Sequence, residues 1–150
     1  MNRHVSQGVL AIALSAFLTQ ASPVAAQTSG STASKDVTKA AETMKNYSVE
    51  KKNEAVAYSK KLVSDFDVKI KDLETQVSKD TSAAGADAKR QGKDLKELAD
   101  LKAARAQAAK TADEMGKASK ESWDGAKQAF NDSYKDLHKA YDAAVAKVKK

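Results

Sequence analysis

Residues 121–148 read ESWDGAKQAFNDSYKDLHKAYDAAVAKV, and the reading of this stretch decides the fold. Its large rings are Trp123, Phe130, Tyr134 and Tyr141, and most residues between them are charged or small. Aligned on Trp123, residues 123–133 (WDGAKQAFNDS) repeat as residues 134–144 (YKDLHKAYDAA). Trp123 falls on Tyr134, Ala126 on Leu137, Ala129 on Ala140 and Phe130 on Tyr141, and Val145 and Val148 begin a third copy. Eleven residues make about three helical turns, close to the period of a straight α-helix. The stretch is therefore one helix with an apolar stripe along its axis. Such a stripe suits a folded core, a partner protein or a lipid surface.

Upstream, Tyr58, Leu62, Phe66, Ile70, Leu73 and Val77 recur at steps of three and four, the pattern of a second helical stripe. Lys60, Asp67, Lys71 and Glu74 occupy its other face. Between the two stripes, residues 78–92 (SKDTSAAGADAKRQG) lose their large apolar side chains and gain Gly85 and Gly92, which marks a chain reversal. From residue 93 the helical pattern resumes through Leu95, Leu98 and Leu101 and the Ala-rich KAARAQAAKTA. Gly116 and Gly125 each cost a helix about 1 kcal/mol relative to Ala, which predicts a bend and not an end. The expectation is a helix over residues 93–148 about 80 Å long.

The fold class expected is all-α: a long antiparallel helical hairpin or coiled coil over residues 35–150, turning near residues 78–92. A short extra N-terminal helix is expected over residues 35–45, where Val37, Ala40, Ala41 and Met44 share one side. Ser48 is placed to cap the next helix, with Glu50 in its first turn. The plain hairpin has a geometric weakness. A helix ending near Val77 cannot cover the aromatic residues 123–148, so the short segment, another subunit, another protein or a membrane must. No run alternates β-branched and aromatic residues, so no strand is expected.

The first residues, MNRHVSQGVLAIALSAFLTQASPVAAQ, have the layout of a secretory signal peptide. Arg3 and His4 precede an apolar run at residues 8–18, too short to span a bilayer, and Val24 and Ala26 prepare cleavage after residue 26. Residues 27–34 (QTSGSTAS) read as a disordered linker. The expected location is the periplasm. The chain has no Cys, so it carries no lipid anchor, disulfide or thiolate site, and packing alone must hold it together.

The net charge of +6 arises from interspersed acids and bases, and beyond the leader Arg90 and Arg105 are the only arginines. That composition argues against nucleic acid. His138 is the one histidine outside the leader and reads as a surface residue, with Asp142 one turn on. Asp132 and Asp136 are flanked by Lys135 and Lys139, a solvated-face pattern more than an acid–base pair. No phosphate loop or nucleophile elbow is present. The expectation is a non-enzyme with no catalytic residue, cofactor, metal or small-molecule substrate. Its interaction surface would be Trp123, Phe130, Tyr134, Leu137 and Tyr141.

The block KASKESWDGAKQAFNDSYKDLHKAYDAA resembles the C-terminal signature of small bacterial coiled-coil proteins labelled stress-response proteins, of the form S-x-x-x-W-x-x-x-K-x-x-F-x-x-A-Y. Ser119, Trp123, Lys127 and Phe130 match it, and Ser133-Tyr134 departs by Ser for Ala. The segment KKLVSDFDVKIKDLETQV is similar to that family's first helix. The resemblance implies a two-helix hairpin without a catalytic site. The eleven-residue period also resembles exchangeable apolipoproteins and late-embryogenesis-abundant proteins, in which a straight apolar stripe can lie along lipid. The leading expectation is thus an exported structural or interaction protein of envelope or general stress, meeting a protein partner or its own copies. The alternatives are a peripheral protein whose C-terminal helix lies on an anionic membrane, and a disordered protectant.

Overall fold

The computed structural model describes residues 29–82, 85 and 88–148. The signal-peptide reading of residues 1–26 lies outside them. Four helices account for nearly all of the described chain: α1 (Ser29–Lys45), α2 (Lys52–Ser82), α3 (Ala88–Lys117) and α4 (Trp123–Val148), with a 3-10 turn at Val49–Lys51. There is no strand among the described residues, and the fold is all-α.

The α2 and α3 helices form the antiparallel pair that their stripes predict. Cross-helix ion pairs set its register: Lys60 with Asp113 at 2.8 Å, Arg105 with Asp67 at 2.7 Å, and Lys102 with Glu74. As α2 advances, α3 retreats. Arg105 grips Asp67 through two parallel bonds, Nε to Oδ1 and Nη2 to Oδ2, each 2.7 Å. The reversal contains Gly85 at φ +88°, a left-handed conformation that glycine adopts without a Cβ penalty.

The expected 80 Å helix does not exist. The α3 helix stops at Lys117, where the Ala118 amide donates to Met115 O, and α4 starts afresh at Trp123. Between them Ser119 and Ser122 bond reciprocally: the Ser119 amide donates to Ser122 Oγ at 2.9 Å, and the Ser122 amide to Ser119 Oγ at 3.3 Å. Ser122 O then accepts the first helical bond of α4, from the Ala126 amide. Asp124 in the first turn suits the helix dipole. The physical reason for the break lies in burial. A straight helix would leave Trp123, Phe130 and Tyr134 in water, whereas a turn lays them on α2 and α3. Each such side chain gains about 1.5–3 kcal/mol on burial, more than the turn costs.

Folded back, α4 runs antiparallel to α3 and parallel to α2. Phe66 of α2 meets Tyr134 and Tyr141 of α4 edge-on, with ring centroids 6.0 and 5.6 Å apart. Where α3 and α4 touch, the side chains are small: Ala108, Ala112, Thr111 and Ser133 are buried, and the Thr111 and Ser133 hydroxyls bond each other at 2.6 Å. Small residues let two backbones approach closely, which explains the Ala-rich composition of α3.

The short N-terminal helix is present and longer than its apolar pattern. It starts at Ser29, so most of the segment expected as a disordered linker is helical. Once Ala40 and Met44 pack, extending the helix backwards costs little per residue, because the unfavourable step is nucleation. Ser48 is extended (φ −81°, ψ 168°) before the 3-10 turn and makes no side-chain cap bond.

Candidate functional site

The α1 helix crosses only α4 extensively, antiparallel to it. At one end of this contact, Tyr47 O accepts bonds from Trp123 Nε1 at 3.0 Å and Lys127 Nζ at 3.2 Å. Lys127 also pairs with Asp124 at 2.9 Å and lies 5.8 Å from the Trp123 ring centre. Nearby, Lys52 Nζ donates to Ala118 O, tying the α1–α2 link to the α3–α4 link. In the middle, Met44 is wholly buried and Ala40 nearly so.

A cleft runs along this contact, from Lys45 and Gln128 to Ser34 and Asp142. It holds about 640 Å³, with Val37, Ala41 and Glu42 on one wall and Asn131, Lys135 and His138 on the other. His138 is only 4 % exposed, and its Nε2 has no hydrogen-bond partner among the described residues. One turn pair away, the buried Oδ1 of Asn131 also has none. Such orphans cost about 1–3 kcal/mol each. The imidazole stands edge-on to Phe66 and Tyr134, with centroids 4.8 and 4.7 Å away. Burial, aided by the Lys69 ammonium, pushes its pKa down to about 4, against a small pull upward from Asp36 of α1. His138 is therefore a neutral core residue at pH 7. The surface reading of it is overturned because Tyr134 and Tyr141 carry the stripe round to its side of the helix.

Lys69 also sits 4.6 Å from the Phe66 ring centre and 5.3 Å from that of Tyr141, a cation over two π-faces. Burial raises the Tyr134 and Tyr141 phenols above their ordinary range, so both are neutral. Burial likewise raises Asp142, while Lys69 opposes that shift.

Of the five residues that the sequence offers as an interaction surface, Trp123, Phe130, Tyr134 and Leu137 are buried and Tyr141 is half-buried. They do form a contact surface, but the helices they contact belong to the same chain. They are therefore not a free face for lipid or a partner. The residues that the stripe did not single out, His138 and Asn131, hold the unsatisfied chemistry. Their signal was available: His138 is one turn from Tyr134, and Asn131 follows Phe130, so both fall on the edge of the stripe.

Among the described residues, no group of three or more His, Asp or Glu side chains is placed to hold a metal ion. No described helix is long and apolar enough to cross a membrane. Compared with known proteins, the chain matches no family model, no curated protein and no solved structure.

Proposed function

We propose that this protein is an exported, non-catalytic helical protein of the cell envelope that acts by interaction, in a stress-related role, and that the α1–α4 face is where it meets its partner. The observation that supports this reading is the pair of buried, unpartnered polar atoms, His138 Nε2 and Asn131 Oδ1, beside a cleft of about 640 Å³. Unsatisfied polar atoms at the α1–α4 contact make it cheaper to rearrange for a partner.

The test is photo-crosslinking in living cells. A crosslinking residue at Lys135, on the cleft, should give protein adducts that a probe at Lys61, on the exposed face of α2, does not. Equal labelling from both positions would remove the α1–α4 face from the proposal. Export has its own check: the protein recovered from the periplasmic fraction should begin at Gln27.

The membrane reading requires more of this fold than it did of the sequence. The apolar face of α4 is turned inward, so lipid could reach it only after the bundle opens. Binding to anionic vesicles at low salt with no loss of tertiary structure would therefore count against the buried stripe as the lipid contact.

A further inference from the structure

The α1 helix behaves as a strap. It is joined to α2 by a short link, packs on α4, and its Val37 and Ala41 share the walls of one cleft with His138 and Asn131. His138 Nε2 is buried beside this cleft, with no hydrogen-bond partner among the described residues. With α1 lifted, the imidazole reaches solvent and can take up a proton. Closing the strap and protonating His138 therefore oppose each other.

We propose that α1 is an acid-releasable strap, held shut by neutral His138 and opened when that imidazole is protonated, so that release uncovers the Ala40–Met44 face of α1 and its seat on α4. This deepens the reading of the α1–α4 face as the working surface and rests on that reading for its purpose. The mechanism itself stands on the geometry.

The charges around His138 decide the sign. From α2, Lys69 faces it and opposes its protonation, while Asp65 and Asp72 act on the neighbouring tyrosines. From α1, Asp36 acts on it directly, and Glu42 and Lys45 line the same cleft. On α4 itself stand Tyr134, Lys135, Lys139, Tyr141 and Asp142. Carboxylates generally titrate near pH 4, phenols near 10 and lysines above that. Between pH 7.5 and pH 5, histidine is the group in this set that ordinarily changes charge, and the raised pKa of Asp142 bounds the window from below. No acceptor waits for the new proton at Nε2, so the imidazolium is relieved only by hydration. An exported protein would meet such acid directly, because the periplasm follows the pH outside.

The linkage gives the size of the effect. A folded pKa of about 4 against an ordinary 6.5 raises the open population by at most roughly 30-fold between pH 7.5 and pH 5. The experiment is hydrogen exchange by mass spectrometry on the intact protein at both pH values, corrected for intrinsic rates. Amides of α1 should lose protection by up to that factor, and at both pH values they should be far less protected than those in the middle of α2 and α3, which exchange only when the whole bundle opens. His138→Gln, which cannot titrate, should abolish the change in α1. Lys69→Gln, which removes the opposing cation without touching the strap, should move the release to higher pH. An NMR titration of the His138 ring in the native protein should show a midpoint well below 6. Unchanged α1 protection at pH 5, an undiminished response in His138→Gln, or a midpoint near 6.5 would each overturn the proposal. None of these readouts depends on a partner, so a failed crosslink and a failed strap are distinct results.

Discussion

The seam between α3 and α4 and the seam between α1 and α4 use the same helix and differ in how they treat polar groups. At the first, two hydroxyls are buried and each is satisfied: Thr111 and Ser133 bond each other at 2.6 Å, and Ser133 also donates to Phe130 O at 2.9 Å. At the second, Asn131 and His138 leave buried atoms without partners, and a cleft runs beside them. The first seam also has a cleft, of about 470 Å³, beside Thr111 and Ser133, but the hydroxyls it buries are bonded. The second is closed by Met44 and Ala40 and weakened by the polar groups it covers. The difference teaches that in a thin, Ala-rich bundle, permanence depends on polar satisfaction as much as on apolar area.

The largest effect should come from the aromatic core that both seams share. Phe130→Ala removes a ring with no exposure and should cost about 3–5 kcal/mol, read as a large drop in the urea midpoint of the whole chain. A loss below about 1 kcal/mol would mean that α4 is not packed on α2 and α3 as described.

The next effect is acid dependence. The folded pKa of His138 is depressed, so the folded state binds this proton less well than the unfolded chain does. Stability is therefore fully present above pH 6.5 and falls as the pH drops toward 4, by about 3 kcal/mol if all of the shift is lost on unfolding. Chemical denaturation across this range should show the slope in the native protein and a flatter one in His138→Gln.

Met44→Ala sharpens the contrast between seams. Such core truncations cost about 2–5 kcal/mol where they act. Here the loss should appear as faster exchange in α1, while the global melt moves little. If α1 and the other helices melt together and both shift, the two seams are one cooperative unit.

Ser133→Ala tests the satisfied seam by leaving Thr111 without its partner hydroxyl. The Thr111 hydroxyl can then turn its proton to Ala108 O, 3.0 Å away, so the cost should stay near 1 kcal/mol. Smallest of all is the exposed pair between α2 and α3. Arg105→Met should cost about 0.5 kcal/mol or less, and high salt should erase the difference.

Much of this was legible beforehand. The stripe from Phe66 through Ile70, Leu73 and Val77 is the buried face of α2, and the small-residue stretch containing Gly85 is where the chain reverses. The Trp123-to-Val148 stripe is likewise buried along α4. The end of α3 was harder to read. Gly116, Ser119, Ser122 and Asp124 together carry the stop and start signals of two helices, yet each is weak by itself. What makes them decisive is the area that folding back allows the chain to bury. The same blindness placed His138 at the surface, because helical spacing places a residue on a helix but does not say how many neighbours surround that helix. Ser59 and Asp94, also buried, were invisible for the same reason.

By itself the sequence determined that this chain is helical, where its apolar faces lie and where it must turn, since these follow from local periodicity and from the absence of proline after Pro23. Only the tertiary structure decided that the aromatic stripe is spent inside the molecule, that α1 closes over α4, and that His138 is neutral beneath it. Those facts depend on which faces meet, and burial and the pKa shifts that follow from it belong to the assembled bundle, not to any one helix.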